Sequence, residues 1–407
     1  MGYFKDTIKG ISWVGAFMFF SRFVAVIKTA ILARILVPAQ FGTYGIATLV
    51  LTFLEILTET GINIFLIQEK DNIDNFIDTA WIVSIIRGIL ISLAIVLAVP
   101  FVILFFNSSN SRSLLFLISL VPFIRGFINP SVTKIQKNLQ FHIDFWYRSS
   151  IFVFDALLAV TISLITRSPI GLIWGLIGGA LLEVYMSFKF FTPRPKFAFE
   201  HVRIRKVINR GKWITASGIF NYLFKQGDDI VVGRLLGESS LGFYQTAYKI
   251  STLPVSEVAD VVGKVTFPVY VKISEDRKRL EKAFIKTTWG IFLTVLPLSL
   301  LIFVFAKEIV LIVLGVRWLE IVPTLRVLSV YGFIRSVVNS PFSLFLGLGK
   351  QEYVTYITLL SILGLGISII PLVKMYGILG AGLSTIVGTI ISLPLVIYYT
   401  KKVFHSK

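Results

Sequence analysis

Apolar runs long enough to cross a lipid bilayer follow one another along the whole chain, and they limit the fold more than any other feature. Because a helix needs about 20 apolar residues to span the hydrocarbon core, these runs predict about twelve transmembrane helices. The runs are continuous, whereas a β-barrel would alternate polar and apolar residues. We therefore predict an all-α polytopic membrane protein. The predicted spans lie near residues 11–33, 41–66, 77–106, 112–131, 146–166, 169–190, 208–234, 242–270, 283–306, 320–346, 352–373 and 377–400.

A short turn after the first predicted span recurs about 200 residues later, which indicates an internal duplication. Six spans in each half would be an even number, so both halves keep one orientation and form a parallel repeat about an axis normal to the membrane. We predict two six-helix lobes, residues 1–200 and 201–407, around a central cavity. The matched residues are Arg34, Leu36, Gly42, Tyr44 and Ala47 with Arg234, Leu236, Gly242, Tyr244 and Ala247, and Phe123, Ile124, Arg125 and Asn129 with Phe333, Ile334, Arg335 and Asn339.

The chain carries a net charge of +18. The distribution of its Lys and Arg along the chain indicates a membrane topology signal rather than a nucleic-acid-binding surface. About 24 Lys and Arg fall on one set of alternating loops and about 7 on the other, the positive-inside pattern. Lys5, Lys9, Lys401 and Lys402 then put both termini of a multi-pass plasma-membrane protein in the cytoplasm. The basic segment 189–212 either adds to this signal and contacts anionic membrane lipid or docks a cytoplasmic partner.

The sequence patterns of common catalytic and metal sites are missing. The chain has no Cys, and its three His are far apart, without the spacing of metal ligands. Three Gly-Lys pairs lack the remaining residues of a phosphate-binding P-loop, and neither HExxH nor GxSxG occurs. We therefore expect a transporter rather than an enzyme, with no catalytic residue, metal or cofactor.

Charges inside the predicted spans point most directly to function, because a charge that faces lipid at mid-bilayer costs from about 3 to more than 10 kcal/mol. Such cations must face protein or a hydrated cavity, and a cationic cavity suits a phosphate-bearing ligand. The alternative is that internal acids neutralise them or that they reach the nearer membrane surface. The candidates are Arg22 and Lys28 on the first span, then Arg87, Lys225 and Lys249, with Arg125 nearer the cytoplasmic end.

The acids in the spans have two alternative roles, ion coupling and charge balance. Asp228 and Asp229 follow Lys225 at i,i+3 and i,i+4 spacing, so Lys225 can pair with either acid and leave the other for a coupling cation or proton. Glu55, at i,i+4 spacing from Glu59, is a further coupling candidate. Two other acids, Asp155 and Glu183, are isolated in the sequence.

Small residues recur at every fourth position of the sixth predicted span, at Gly171, Gly175 and Gly179. This spacing lets helices approach closely. It indicates either packing within one lobe or a dimer interface.

Short motifs that run in order over most of the chain indicate a family. They are residues 33–38 (ARILVP) and 41–45 (FGTYG), residues 228–237 (DDIVVGRLLG) and 241–244 (LGFY), residues 267–270 (FPVY), Leu314-Gly315, Trp318 and residues 347–350 (GLGK). They resemble the Wzx-type polysaccharide flippases of the polysaccharide transporter family, in the superfamily of the multidrug and toxin extrusion (MATE) transporters.

The resemblance implies a MATE-like transporter that turns a polyprenyl-diphosphate-linked oligosaccharide from the inner to the outer leaflet by alternating access, among polysaccharide-assembly proteins. In related flippases, cations on the first span bind the diphosphate, and Arg22 and Lys28 match them in type and location. The chain departs from the family in span number, since many members have fourteen.

Two other classes of function compete with a flippase. An ion-coupled small-molecule or multidrug antiporter of the same superfamily would need an acid-dominated cavity, whereas the candidate set here is mostly cationic. A membrane enzyme of glycan assembly usually has a large external loop or a catalytic loop with paired acids, and the loops here are short. We therefore expect a flippase.

Overall fold

The computed structural model describes residues 2–58, 66, 73–197 and 201–405. Within these ranges the side chains of residues 2–11, 201–221, 224, 253–254, 256–257, 260, 264 and 405 are not described. All regular secondary structure in the described ranges is helical. The chain divides into two compact units, Met1–Gly227 and Asp228–Lys407. The predicted lobes, 1–200 and 201–407, stay a prediction.

Within the described residues, the N-terminal unit contains eight complete helices. They are α1 (Gly2–Ile35), α2 (Pro38–Leu57), α3 (Asp74–Phe106), α4 (Arg112–Ile118), α5 (Leu120–Arg125), α6 (Lys134–Lys137), α7 (Phe141–Thr166) and α8 (Ile170–Phe190), with 3-10 turns at Ser109–Ser111 and Pro130–Thr133. The next helix, α9 (His201–Lys272), begins in this unit and ends in the other.

In its described range, up to residue 405, the C-terminal unit continues from α9 with six more helices. They are α10 (Arg277–Val304), α11 (Ala306–Val313), α12 (Val322–Val338), α13 (Ser340–Gly347), α14 (Gln351–Tyr376) and α15 (Ile378–His405), with a 3-10 helix at Val316–Ile321. In the described part of the chain, nine segments are long and apolar enough to cross a membrane, or ten if one bent pair counts as a span. The all-α polytopic prediction is confirmed. The seventh and eighth predicted spans fall on α9.

The repeated turn breaks a helix at the equivalent place in both units. Val37 is extended (φ −90°, ψ 159°), and Pro38 starts α2 at a position where its missing N–H is not needed. In the second copy Gly237 interrupts α9 with φ 82° and ψ −173°, a left-handed conformation that favours glycine. The turn predicted from the sequence is therefore present in both copies, built by proline in one and by glycine in the other.

The predicted fourth span is broken rather than continuous. Residues 109–125 and 130–137 meet at an angle of 72°. At the break Asn129 accepts a hydrogen bond from the Ser131 amide (2.9 Å), and Pro130 begins a new turn. The Asn129 side chain also donates to the carbonyls of Phe191 and Pro193, both at 3.2 Å. These bonds tie the broken span to the end of α8.

The glycine stripe of the sixth predicted span packs against α7 within its own unit. A Cβ at Gly171 would overlap Ser163, and a Cβ at Gly175 would overlap Asp155 and Ala159. Of the two interpretations of this stripe, the structure supports packing within one lobe. The close approach brings α8 next to Asp155.

Candidate functional site

Lys28 forms a buried ion pair in the N-terminal unit. Its Nζ lies 2.9 Å from Oδ2 and 3.1 Å from Oδ1 of Asp155 on α7. The two side chains are only 13% and 11% exposed. Asp155, which the sequence left isolated, therefore neutralises Lys28. No sequence signal could have joined them, because they are 127 positions apart and their contact depends on how α1 and α7 are rotated.

Arg22 lies on a different face of the same helix. It is exposed, as are Phe19, Phe23 and Val26 around it. Since each residue turns a helix by about 100°, six positions put Arg22 and Lys28 on separate faces. The structure therefore does not bring these two cations together, and only Arg22 is accessible.

Arg87 and Arg125 line a separate polar cavity of about 310 Å³ inside the N-terminal unit. The cavity lies where the fourth span breaks, between α2, α3, α5, α7 and α8. Its lining carries as many acids as arginines. The charged residues are Glu55, Arg87, Arg125, Asp144, Arg148 and Glu183, and Asn129, Thr133 and Gln136 add neutral polar groups.

Each arginine of this cavity has a defined partner. Arg87 donates from Nη2 to the Glu55 carbonyl (2.7 Å) and from Nε to Thr58 Oγ1 (3.4 Å). Arg148 donates to Asp144 Oδ1 at 2.7 Å. Arg87 therefore lines a charge-balanced cavity, while Lys28 pairs with Asp155 elsewhere in the N-terminal unit. The binding roles predicted for Arg22, Lys28 and Arg87 stay predictions.

Arg125 stands between two carboxylates. Its Nη1 is 3.4 Å from Glu55 Oε1, and its Nε is 4.0 Å from Glu183 Oε2. Glu55 therefore belongs to this cluster, while Glu59, its predicted neighbour on the helix, lies outside the described residues. In the sequence Arg125 is already a candidate cation, whereas Glu183 is an isolated acid whose one signal is its position inside a predicted span.

Asp228 and Asp229 are buried in the C-terminal unit, 5% and 9% exposed. Tyr244 Oη donates to Asp228 Oδ2 at 2.7 Å, and Gln245 Nε2 donates to Asp229 Oδ2 at 3.2 Å. In a straight helix, residues 16 positions apart would be separated by about 24 Å. The break in α9 at Gly237 therefore creates both contacts.

Lys225 and Lys249 are both exposed on α9. The predicted pairing of Lys225 with Asp228 or Asp229 is therefore replaced by hydrogen bonds from Tyr244 and Gln245. The i,i+3 and i,i+4 spacings permit such a pair, but they do not decide whether an acid turns toward its own helix or toward the neighbouring arm. The roles of Lys225 and Lys249 in ligand binding stay predictions.

Arg335, the repeat partner of Arg125, has quite different surroundings. Its Nη1 donates to Tyr248 Oη at 2.9 Å and to Tyr331 Oη at 3.4 Å. The repeat in the sequence identifies this arginine but does not show that the hydroxyls of two tyrosines accept its hydrogen bonds.

Known sequences similar to this chain include proteins of polysaccharide biosynthesis. A family model described as "Polysaccharide biosynthesis protein" matches residues 31–323. The chain is 25% identical over 352 residues to the lipopolysaccharide biosynthesis protein WzxC of Escherichia coli (strain K12), across 86% of this chain and 71% of WzxC. The helices and this relative together support a multi-pass membrane protein.

Solved structures of transporters share the fold. The lipid II flippase MurJ, in an inward closed conformation, superposes with a TM-score of 0.74 at 19% identity, over 96% of this chain and 88% of that chain. A multidrug resistance MATE family transporter in its inward-facing conformation superposes with a TM-score of 0.69 at 14% identity, over 94% of each chain. The predicted MATE-like fold is confirmed.

Proposed function

Because the chain belongs to the polysaccharide biosynthesis protein family, we propose that it is a flippase for a polyprenyl-diphosphate-linked oligosaccharide, which it turns from the inner to the outer leaflet by alternating access for surface polysaccharide assembly. The observation that carries this proposal is the family match over residues 31–323. The name of WzxC and the shared fold with a lipid II flippase support it. The protein would act in the plasma membrane, with both termini cytoplasmic, and not as an enzyme.

Arg22 is the residue of the N-terminal unit best placed to receive the diphosphate. It is an exposed cation on a largely apolar helix, and its guanidinium can bind two phosphate oxygens at once. Lys28 is already neutralised by Asp155, so it would contribute only if the anionic headgroup displaced that carboxylate. We therefore assign first contact to Arg22 and treat Lys28 as a second, conditional ligand.

The C-terminal unit supplies a candidate for energy coupling. Asp228 and Asp229 are buried neighbours that accept hydrogen bonds from neutral groups. Tyr244 and the backbone amide of Asp229 donate to Asp228, and Gln245 donates to Asp229. Two carboxylates so close in a low-dielectric site favour uptake of a proton or a cation. Replacing Asp228 with Asn would then remove the dependence of flipping on an ion gradient, whereas unchanged dependence would contradict this role.

An ion-coupled small-molecule antiporter is the second candidate. The likeness to a multidrug transporter and the paired acids of the C-terminal unit favour it. The two functions differ in what they carry, because a diphosphate needs an accessible cation whereas a cationic drug needs an accessible acid.

Reconstitution into proteoliposomes tests the proposal directly. The probe is a fluorescent short-chain polyprenyl-diphosphate disaccharide, and a fluorescent phosphatidylcholine serves as the control lipid. We expect the protein to move the first probe between leaflets and not the second, measured as loss of fluorescence to an external quencher. Equal movement of both lipids, or transport of ethidium without movement of the diphosphate probe, would reject the flippase in favour of a scramblase or the antiporter.

A further inference from the structure

Arg125 is one cation between two carboxylates, and it lies at different distances from them. Glu55 is the closer acid at 3.4 Å, while Glu183 is 4.0 Å away and only 27% exposed. Arg125 Nε, the atom nearest to Glu183, is buried without a hydrogen-bond partner. Glu183 is thus the acid that this arginine holds less tightly.

The other charged and titratable groups around Glu183 are already engaged. Arg148 on α7 donates to Asp144 on the same helix, and Arg87 on α3 donates to the Glu55 carbonyl. Tyr147 on α7 donates to the backbone carbonyl of Glu183, not to its carboxylate. Among the described residues, the weak pair with Arg125 is therefore the ion pair that holds the Glu183 side chain.

The cavity in front of Glu183 can hold water. Its volume of about 310 Å³ is far above the 10–15 Å³ or so that one water needs, and its walls offer many polar partners. A carboxylate at the edge of such a cavity can exchange a proton without facing lipid.

The internal repeat provides a reference site in the same protein. Arg335 is bonded to Tyr248 and Tyr331, whose hydroxyls do not ionise near neutral pH. Val255 stands at the repeat position of Glu55 and is fully buried. The frame of the site is thus duplicated, but two tyrosine hydroxyls bond the arginine of the C-terminal copy, whereas two carboxylates flank the arginine of the N-terminal copy.

From this geometry we propose that Glu183 is a proton-binding site of the N-terminal unit, separate from Asp228 and Asp229. When Glu183 takes a proton, Arg125 pairs with Glu55 alone, and the electrostatic link between α5 and α8 is lost. When it releases the proton, Arg125 is shared again and the two helices are held together. The use of this switch in transport rests on the proposed flippase function, whereas the proton site itself does not.

Trp81 on α3 is placed to report this change. Its Nε1 donates to the Phe127 carbonyl just after α5 (3.0 Å), and its ring lies 6.0 Å from that of Phe188 on α8. It therefore contacts both segments that the Arg125–Glu183 pair connects. A fluorine on this indole would sense their relative movement.

The experiment uses the full chain labelled with 5-fluorotryptophan in lipid nanodiscs, without substrate. The ¹⁹F resonance of Trp81 is assigned from its loss in Trp81→Phe and followed between about pH 5 and 8, the range in which weakly paired carboxylates in membranes exchange protons. We expect one pH-dependent transition in the parent protein. It should be lost in Glu183→Gln and kept in the matched control Glu308→Gln, which removes an exposed carboxylate of the C-terminal unit.

Two further variants test the direction of the pH shift and control for misfolding. Glu55→Gln leaves Arg125 to Glu183 alone, so the transition should move to lower pH rather than vanish. Glu183→Asp retains a carboxylate and should retain a transition even if the glutamine variant folds poorly. An unchanged transition in Glu183→Gln, or no transition in the parent, would overturn the site. The ¹⁹F measurement needs no transport, so it tests the proton site even if the protein does not flip the diphosphate probe. Failure of the proton site and failure of the proposed flippase function can therefore be told apart.

Discussion

Position 28 of the N-terminal unit is a lysine, whereas the repeat position in the C-terminal unit, 228, is an aspartate. Lys28 pairs with a carboxylate from another helix, Asp155, at 2.9 Å. Asp228 instead accepts a hydrogen bond from Tyr244, which lies on the other arm of its own helix. The same position in a duplicated frame thus carries opposite charges, each neutralised or bonded in a different way.

The equivalent arginines extend this contrast. Arg125 is shared by two acids at the edge of a polar cavity, while Arg335 is bonded to two tyrosine hydroxyls. Duplication therefore preserved the turn at Val37 and Gly237 but not the electrostatics. Of the two units, the N-terminal one offers an exposed cation for an anionic group, and the C-terminal one offers buried acids for a proton or cation.

The largest expected effect comes from breaking the buried ion pair of the N-terminal unit. Replacing Asp155 with Leu leaves the Lys28 charge buried and unpaired, so the free energy of unfolding should fall by about 3–5 kcal/mol. Thermal unfolding in detergent measures the loss. Replacing both residues, as Lys28→Met with Asp155→Leu, should recover most of it. Equal loss in the single and double variants would show that the pair does not hold the unit.

Removal of the exposed cation should affect transport rather than stability. Arg22→Ala removes a charge-assisted hydrogen bond to phosphate worth about 1.5–3 kcal/mol, so flipping of the diphosphate probe should fall roughly 10- to 100-fold. Lys374→Ala, an exposed cation of the C-terminal unit, is the matched control and should leave the rate unchanged. Full activity in Arg22→Ala would show that Arg22 does not bind the headgroup.

Close packing of α8 on α7 predicts a smaller effect. In Gly175→Ala the new methyl group would overlap the Asp155 carboxylate and push it from Lys28, at a cost of about 1–3 kcal/mol in unfolding free energy. The control is Gly366→Ala on α14, where a Cβ meets nothing within 4 Å. If the two variants unfold at the same temperature, the glycine does not position Asp155.

The smallest expected effect on stability concerns Tyr44 and Tyr244, which occupy equivalent positions of the repeat. Tyr244→Phe deletes the hydrogen bond to buried Asp228 and should cost about 1 kcal/mol, measured by thermal unfolding. Tyr44→Phe changes the repeat position, where residue 28 is a lysine rather than an acid. Tyr44→Phe should lower the free energy of unfolding by less than Tyr244→Phe. A larger loss in Tyr44→Phe would show that the tyrosine of the N-terminal unit is the more important of the two for stability.

The predicted elements were most accurate where a feature depends on neighbours along the chain. The turn at Pro38 and its second copy at Gly237 lie where the repeat placed them, because proline and glycine act on their own backbone. The fourth span is the exception, since its apolar run concealed a break of 72° at Asn129 and Pro130. The Asn129 side chain caps the turn after the break and bonds the residues that follow α8. These contacts stabilise a break that the apolar run does not reveal.

Sequence alone determined the membrane class, the positions of most spans and the internal duplication, because these follow from apolar run length and from residue identity at fixed offsets. Only the tertiary structure decided that Lys28 belongs to Asp155, that Arg125 is shared by Glu55 and Glu183, and that Tyr244 and Gln245 bond the paired acids. The physical reason is that a charge on a helix can face any direction around the axis. Its partner depends on the rotation and register of helices far apart in the chain, and no local pattern records these.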